Sequence, residues 1–551
     1  MKIPTVSGKL TASAAGTLLV CGLQAAGNEA AKDERPNIIL IMVDDLGFSD
    51  VGAYGASEIQ TPNIDRLARE GVRFRQFYNN GISAPTRASL ITGQYPHRAG
   101  IGFFNVNLGL PAYQGFLNKE SLTFAEVLKA AGYSTLMSGK WHVGDDKDQW
   151  PNQRGFEKFF GFIGGASSYY SQETSGNDPV ALIKNNEPAT LGQGQYLTEE
   201  IAGNALEFLD EQDREGKPFF LYLAFNAPHW PLQARPDDIA RYRDVYAAGW
   251  DSLRNVRYRN SIEKGVTYPA QRIAARDETV PLWNRLTYDE QQFWQRRQEV
   301  YAAMIDRTDR EIGRVLDKLK ELKKDDNTLV IFISDNGAQG GNGLYAYTRR
   351  TTGPVGTAGS YELQNSNWSQ TGNSPLRNYK GKPYEGGVSS PFIAWFPKKI
   401  KAGVTTDGVG HIIDLAPTFY ELAGAQYPET FSGAPVHPLP GKSLLPVLTG
   451  KADRAERTEP LFWERAGNKA VRSGKWKLVS IYPENRYELY DLETDRAENH
   501  DVAAQHPETV ERLKNEYAQW AAKNDVTDFS ILAGSDPFSR PPSRTATPSR
   551  K

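Results

Sequence analysis

Four continuous apolar runs of strand length, each followed at once by polar or ionisable residues, constrain the fold of this chain most strongly. Strands that are apolar on both faces belong to parallel sheets covered on both sides. Open α/β folds place their binding sites beyond the carboxyl ends of such strands. The runs and the residues after them are 37–43 before Asp44 and Asp45, 133–138 before Lys140 and His142, 219–225 before His229, and 328–334 before Asp335 and Asn336. The pattern therefore predicts polar side chains gathered at one edge of a sheet.

Segments with helical periodicity and helix start or stop signals separate these runs. Thr123 and Glu126, for example, fit a capping box ahead of an apolar helix face. The clearest helices are predicted at residues 61–71, 123–132 and 300–322. Strands that alternate with helices predict an α/β domain, and we place it at residues 35–457, with a large, doubly wound, mostly parallel sheet flanked by helices.

From about residue 460 the pattern changes to short, partly alternating strands joined by turns, followed by a helix at 508–523. This predicts a smaller C-terminal subdomain, residues 458–530, with an antiparallel sheet and one helix. Residues 531–551 are rich in Pro, Ser and Arg, a composition typical of disordered tails.

Residues 1–27 have the layout of a secretory signal peptide, because Lys2 and Lys9 precede a mildly apolar run and then small residues. The layout predicts export, to the periplasm. The run is too short and too polar for a membrane span. Cys21, the only cysteine of the chain, gives a weak lipoprotein signal because Val20 is bulky, so lipid anchoring is the less favoured interpretation. A net charge of −2 provides no basic field for nucleic acid.

Asp44, Asp45, Asp335 and Asn336 together offer three carboxylates and one amide oxygen. Such hard oxygen ligands suit Ca²⁺, or alternatively Mg²⁺, better than Zn²⁺. Pairs of this kind also cap helices or shape turns in many proteins. The residue types alone therefore leave a structural interpretation open beside a metal site.

The segment Ser83-Ala84-Pro85-Thr86-Arg87 predicts the start of a helix. Pro85 suits a first helical turn, and Ser83 then lies at the N-terminal end, where free N–H groups favour an anion. Arg87 lies one turn further along the same face. A serine in this position is ordinarily a helix cap, so the segment alone permits a structural role as well.

Taken in chain order, these motifs resemble those of the type I sulfatases, which belong to the alkaline phosphatase superfamily. The resemblance extends from residue 36 to about residue 523 and is strongest toward bacterial arylsulfatases. It rests on Asp44-Asp45, Ser83-Ala84-Pro85-Thr86-Arg87, Gly139-Lys140-Trp141-His142, Ala227-Pro228-His229, Asp335-Asn336-Gly337, and Lys380 six residues before Gly386-Gly387. It implies hydrolysis of sulfate monoesters of small molecules, aryl or carbohydrate.

The resemblance also implies a role for each matched residue. In this family a cysteine or serine at the position of Ser83 is oxidised to formylglycine, and the hydrated aldehyde is the nucleophile. The implied roles are metal binding by Asp44, Asp45, Ser83, Asp335 and Asn336, substrate binding by Lys140, His229 and Lys380 (with Lys382 as the fallback), and catalysis by Ser83, Arg87, His142, His229 and Asp335. Serine at residue 83, where most members have cysteine, implies a radical-SAM maturase as a partner, acting before export.

Two other functions remain open on the sequence. One is a phosphonate monoester or phosphodiester hydrolase of the same superfamily, and the other is a non-catalytic binder of sulfated glycans with an unmodified Ser83.

Seven aromatic side chains could stack on a substrate ring or could pack the polar segments that contain them. They are Tyr242, Tyr246, Trp250, Trp283, Tyr345, Tyr347 and Trp368. His97, His411, His437, His500 and His506 have no matched motif around them and receive a structural interpretation.

Overall fold

The computed structural model of the protein describes residue 1 and residues 34–170, 182–340, 351–452 and 457–532. Among these residues, no helix is both long enough and apolar enough to cross a membrane. Apart from residue 1, the predicted signal peptide, including Cys21, lies outside the described residues, as does nearly all of the predicted tail.

A ten-stranded sheet forms the centre of the large domain, with the strand order β10-β2-β9-β8-β1-β7-β3-β4-β5-β6. Its strands are β1 Asn37–Val43, β2 Val72–Tyr78, β3 Ser134–Lys140, β4 Lys158–Phe162, β5 Leu182–Lys184, β6 Glu187–Ala189, β7 Phe219–Ala224, β8 Thr328–Ser334, β9 Phe392–Trp395 and β10 Val404–His411. Strands β8, β1, β7, β3 and β4 pair in parallel. The predicted mostly parallel sheet is confirmed.

Helices cover both faces of this sheet. The α-helices of the described residues are α1 Pro62–Glu70, α2 Ser83–Thr92, α3 Phe124–Ala130, α4 Leu197–Glu215, α5 Pro236–Ala240, α6 Gly249–Glu263, α7 Tyr288–Glu321, α8 Asn365–Gly372, α9 Glu385–Val388, α10 Leu415–Ala423, α11 Leu445–Leu448, α12 Pro507–Lys523 and α13 Phe529–Leu532. The predicted capping box of α3 is present. Helix α7 begins twelve residues before the predicted start, because Thr287 and Glu290 form an unrecognised capping box there.

Alternate residues of β1 enter two different hydrophobic cores. Ile39 and Ile41 pack with residues of α4 and α7 on one face of the sheet. Ile38 and Leu40 pack with residues of α2, α3 and α10 on the other face. Both faces are therefore covered, which is why the strand reads as a continuous apolar run rather than an alternating one.

The C-terminal subdomain contains a four-stranded antiparallel sheet, and α12 packs against it. A short antiparallel pair, β11 Thr430–Phe431 and β12 Ala434–Pro435, precedes it in the chain. The strands of the four-stranded sheet are β13 Leu461–Arg465, β14 Asn468–Ser473, β15 Trp476–Ser480 and β16 Tyr487–Asp491. The predicted antiparallel sheet with one helix is confirmed, and β13 is its first strand. Tyr78 at the end of β2 and Val388 of the large domain share its hydrophobic core, so the two sheets are joined by packing.

Five of the seven aromatic residues considered as substrate contacts are buried in the large domain. Trp250 is the centre of the group, with ring centroids 4.7 Å from Trp283 and 5.5 Å from Trp368. Tyr246 packs edge-on against Trp368, and Tyr242 is buried nearby on the same core. These five pack the segment, and the stacking interpretation is wrong for them; Tyr345 and Tyr347 lie outside the described residues.

Candidate active site

The polar residues that follow four parallel strands lie together at one edge of the sheet. Val43 of β1 pairs with Ser334 of β8, so Asp44 and Asp335 leave adjacent strands at the same level. Strand β3 continues to Lys140 itself, which is two residues further than the sequence predicts. The parallel register thus brings residues separated by up to about 290 positions into one buried cluster.

Ser83 is the first residue of α2, and every residue of that helix is buried. Its side chain makes no capping hydrogen bond, and Ile82 occupies the N-cap position. Instead, Ser83 Oγ accepts a hydrogen bond of 3.0 Å from Arg87 Nε and lies 3.3 Å from His142 Nδ1. The ordinary capping role is therefore not used here, and the hydroxyl faces a guanidinium and an imidazole.

Three buried cations pair with the three carboxylates of the cluster. Lys140 Nζ lies 2.6 Å from Asp44 Oδ2. Arg87 Nη2 lies 3.1 Å from an oxygen of Asp335. Burial lowers the pKa of Lys140 to about 8, although the negative charge of Asp44 opposes this shift. All four of these side chains are fully excluded from solvent, so their charges act at low local dielectric.

The third ion pair shows which of the two lysines considered for sulfate binding lies in the cluster. Lys380 Nζ lies 2.6 Å from Asp45 Oδ1, and its side chain is 14% exposed. Lys382 is exposed. The structure thus brings Lys380, the preferred candidate, into the cluster.

Three buried oxygen atoms of this cluster have no hydrogen-bond partner among the described residues: Asp44 Oδ1, Asp45 Oδ2 and Asn336 Oδ1. One ligand atom each from Asp44, Asp45 and His229 lies within 4.8 Å of the others, a spacing that could hold a metal ion. Unpartnered buried polar atoms are costly, and a divalent cation would satisfy these oxygens with its preferred ligands. The donor set therefore fits a metal.

Both histidines of the cluster point one ring nitrogen into the site. His229 Nδ1 donates to the carbonyl oxygen of Trp230 at 2.7 Å, so Nε2 carries the lone pair and lies 3.6 Å from Asp45 Oδ2. Burial lowers the pKa of His229 to about 3, partly opposed by Asp45. Burial, together with Lys140, also lowers the pKa of His142 well below its ordinary value. Both shifts favour the neutral form of the imidazole.

Three residues that position the histidines are missed by the sequence analysis. Asn105 Oδ1 lies 3.2 Å from His142 Nε2, and Asp145 contacts the amide of Asn105. Tyr169 Oη lies 2.8 Å from the carbonyl oxygens of both Asn226 and His229. None of the three belongs to a recognisable motif, and only the folded chain brings them to the site.

Two family models match the sequence. The model described as Sulfatase covers residues 36–425. A second, described as N-sulphoglucosamine sulphohydrolase, C-terminal, covers residues 380–523. Together the two matches span both sheets of the structure.

Individual relatives agree with these family models. The chain is 35% identical to an uncharacterised sulfatase of Schizosaccharomyces pombe, over 91% of this chain and 96% of that protein. It is 33% identical to an arylsulfatase of Klebsiella aerogenes, over 79% of this chain and 96% of the relative. The crystal structure of Ps i-CgsB in complex with k-i-k-neocarrahexaose is similar with a TM-score of 0.68 and 28% identity, covering 92% of this chain and 98% of that one. The chain belongs to the sulfatase family and is a sulfuric ester hydrolase.

Proposed function

We propose that the chain hydrolyses sulfate monoesters of aryl or carbohydrate alcohols through a formylglycine nucleophile made from Ser83, assisted by a bound Ca²⁺. The observation that carries this proposal is the setting of Ser83 Oγ, which is buried between Arg87 Nε and His142 Nδ1. A serine that only packs in a core does not require a guanidinium and an imidazole beside its hydroxyl. A residue that becomes a nucleophile requires a positive group that stabilises charge and a base that accepts a proton.

Substrate binding rests on the buried cations. A sulfate monoester carries one dispersed negative charge, and Lys140, Lys380 and Arg87 provide a preorganised positive field for it in a site with little access to water. The residues that would hold the metal are Asp44, Asp45, residue 83, Asp335 and Asn336. When bound, the metal supplies positive charge that lowers the pKa of a hydroxyl at residue 83.

Proton transfers at three positions complete the proposed reaction. The hydrated formylglycine supplies one hydroxyl for attack on sulfur and a second whose deprotonation expels sulfate. Asp335 accepts the proton of the attacking hydroxyl. Lys380 donates a proton to the departing alcohol oxygen, or His229 does so after it has taken up a proton at Nε2, and His142 takes the last proton from residue 83 at Nδ1. A plain serine ester would instead require attack by water.

Two relatives support a proposal for the substrate class. One is an arylsulfatase, and the solved relative holds an oligosaccharide, neocarrahexaose. We propose a sulfated carbohydrate as the natural substrate and small aryl sulfates as assay substrates, because their good leaving groups report the sulfate chemistry alone.

Maturation and location are part of the proposal. Residues 1–27 direct export to the periplasm, and a radical-SAM maturase of the serine type oxidises Ser83 before that step. Residues 35–457 form the catalytic domain, and residues 458–530 form the C-terminal subdomain.

Mass spectrometry of the tryptic peptide 76–87 tests the proposal, using protein made with and without a serine-type maturase. We expect Ser83 to lose two hydrogens only with the maturase, and hydrolysis of 4-nitrophenyl sulfate to rise with the modified fraction. An unmodified Ser83 in active protein would contradict the formylglycine mechanism. An unmodified Ser83 in protein that binds sulfated glycans without turnover would indicate a binder, and selective hydrolysis of phosphodiesters would indicate the superfamily alternative.

A further inference from the structure

The second ring nitrogen of His142 has a partner whose own orientation is fixed. His142 Nε2 lies 3.2 Å from Asn105 Oδ1. The amide nitrogen of Asn105 lies 3.1 and 3.3 Å from the two carboxylate oxygens of Asp145. An ionised carboxylate only accepts hydrogen bonds, so the NH₂ group of Asn105 must face Asp145. The carbonyl oxygen of Asn105 is then the atom that faces the imidazole.

This orientation selects one form of the imidazole. A carbonyl oxygen cannot donate, so a hydrogen bond between Asn105 and His142 requires the hydrogen to be on Nε2. A neutral imidazole carries a single N–H, and Nδ1 then keeps its lone pair. That lone pair is directed at Ser83 Oγ, 3.3 Å away.

The ring has little freedom to adopt another arrangement. A Cβ atom at Gly165 would lie 2.5 Å from His142 Nε2, so the ring packs directly against a glycine backbone. His142 also has a φ of 63°, in the left-handed region that non-glycine residues adopt rarely. The left-handed backbone and the close packing together fix the position of the imidazole ring. What its neighbours still determine is whether the ring hydrogen is on Nδ1 or on Nε2.

We propose that Asn105 is a positioning residue that, together with Asp145, fixes the Nε2–H tautomer of His142 and so leaves Nδ1 free to take a proton from residue 83. The inference rests on the proposed function of His142 as a base. Without Asp145, the amide of Asn105 could turn and donate to Nε2, which would place the ring hydrogen on Nδ1. His142 would then point a hydrogen at residue 83 and could not accept one.

Kinetics of substituted enzymes test the proposal, with each protein produced together with the maturase. Asn105→Leu removes the acceptor, and we expect kcat for 4-nitrophenyl sulfate to fall roughly 10- to 100-fold, as for loss of other residues that orient a site ligand. KM should change less than about threefold, because the substitution reaches the substrate only through His142. Asp145→Ala should lower kcat several-fold.

Two further variants separate positioning from folding. Asn105→Asp combined with Asp145→Asn exchanges the two groups, so an acceptor oxygen for Nε2–H and a donor–acceptor pair behind it are both kept, and we expect this double variant to retain kcat within about threefold of the unsubstituted enzyme. Asn107→Leu serves as the matched control in the same loop, where the exposed Asn107 side chain accepts a hydrogen bond from the backbone N–H of Gly109, and it should leave kcat unchanged. Equal losses in the exchanged double variant and in Asn105→Leu would overturn the proposal.

The tautomer itself is measurable in the full chain labelled with ¹⁵N-histidine. We expect long-range ¹H–¹⁵N spectra to show the Nε2–H form for the signal that His142→Asn removes, and a shift toward the Nδ1–H form in Asn105→Leu. An unchanged tautomer with full activity in that variant would overturn the proposal. Full activity of Ser83→Ala would instead refute the proposed function, while the spectra would still report on the contact between Asn105 and His142.

Discussion

Two clusters of buried charge lie close together in this molecule, and they differ in how completely their acceptors are satisfied. One is the active site. The other, which we call the seam, lies between the large sheet and the C-terminal sheet and consists of Glu385, Lys477, Arg496 and Glu498. Each of the four is at most 5% exposed in its side chain.

Each carboxylate oxygen of the seam has a nitrogen atom within 3.1 Å, and one of these contacts, Glu498 Oε1 with Lys477 Nζ, is an ion pair without a hydrogen bond. Lys477 Nζ lies 2.9 Å from one oxygen of Glu385 and 2.9 Å from one of Glu498. The second oxygen of Glu385 lies 3.1 Å from Arg496 Nε, and the second oxygen of Glu498 accepts from the backbone N–H of Glu385 at 2.7 Å. In the active site, by contrast, Asp44 Oδ1 and Asp45 Oδ2 have no hydrogen-bond partner among the described residues.

The contrast distinguishes buried charged residues that stabilise the fold from buried charged residues that bind a ligand. A buried network whose members are all satisfied is complete without any further molecule. Buried oxygens that lack partners are costly unless something else fills the site. Burial and charge alone would therefore not distinguish the two clusters, whereas the grouping of oxygens without hydrogen bonds does: three lie together in the active site, and the single one of the seam contacts the ammonium group of Lys477.

The seam also supports the site. Glu385 begins α9, and the N–H of Gly337 donates to the carbonyl of Gly387 in that helix at 3.1 Å. A Cβ atom at Gly337 would lie 1.8 Å from the carbonyl oxygen of Gly386, so this close approach requires glycine. The C-terminal sheet thus holds the segment that lies against the loop carrying Asp335.

The largest effect should come from Ser83→Ala, which removes the proposed nucleophile. We expect kcat to fall by roughly 10⁴-fold or more, with little change in Tm because the substitution deletes one oxygen atom. Ser89→Ala, at a second buried serine of α2, is the matched control and should keep its kcat. Near-normal turnover by the residue 83 variant would contradict the view that this cluster is catalytic and the seam is structural.

Lys477→Met should have the second-largest effect, on stability instead of turnover. It leaves two buried carboxylates without their common cation, and we expect the free energy of unfolding to fall by about 3–5 kcal/mol. The kcat of the folded fraction should stay within about threefold. Denaturant unfolding and active-site titration measure the two quantities, and Lys475→Met, at an exposed ion pair two residues away, should change neither by much. A variant as stable as the unsubstituted protein would show that the seam is not structural.

Removal of the metal should affect the active site and leave the seam intact. We expect dialysis against EDTA to lower kcat by roughly 10²-fold or more, because a bound cation contributes several kcal/mol to such reactions. Ca²⁺ should restore activity better than Mg²⁺, and at 100 times Kd it should add about 2.7 kcal/mol to stability. Asp44→Asn should weaken this response strongly, whereas Glu498→Gln should keep it. A Ca²⁺-dependent gain in stability that persists undiminished in the Asp44 variant would place the ion elsewhere.

Glu498→Gln should have the smallest effect, visible only as a change in pH dependence. Burial and the nearby negative charge of Glu385 raise the pKa of Glu498 above its ordinary value of 4.5. A carboxyl with a raised pKa in the folded state binds its proton more tightly there, so its contribution to stability is lost as pH rises from 4.5 through the raised value. The glutamine variant should lose less stability over this interval, as followed by Tm from pH 4 to 8. An identical slope in both proteins would show that Glu498 does not titrate there.

The strands and the order of the motifs were predictable because they depend on neighbours in the chain. The apolar runs that became β1 and β8 begin and end where the sequence indicates, since a strand buried on both faces is apolar at every position. The start of α7 was missed although its capping box is local. The residues of its first turns are mostly exposed and polar, so this part of the helix lacks the apolar periodicity from which a helix is predicted.

The fold class, the family and the residues that meet at the carboxyl edge of the sheet were all predictable from the amino-acid sequence. Which side chains contact one another is shown only by the folded chain. It selected Lys380 over Lys382, buried Trp250 and its aromatic neighbours in the core, and brought Asn105 to His142 across 37 positions. The reason is physical: backbone periodicity depends on local side chains, whereas a polar contact depends on distances that exist only after distant segments have packed.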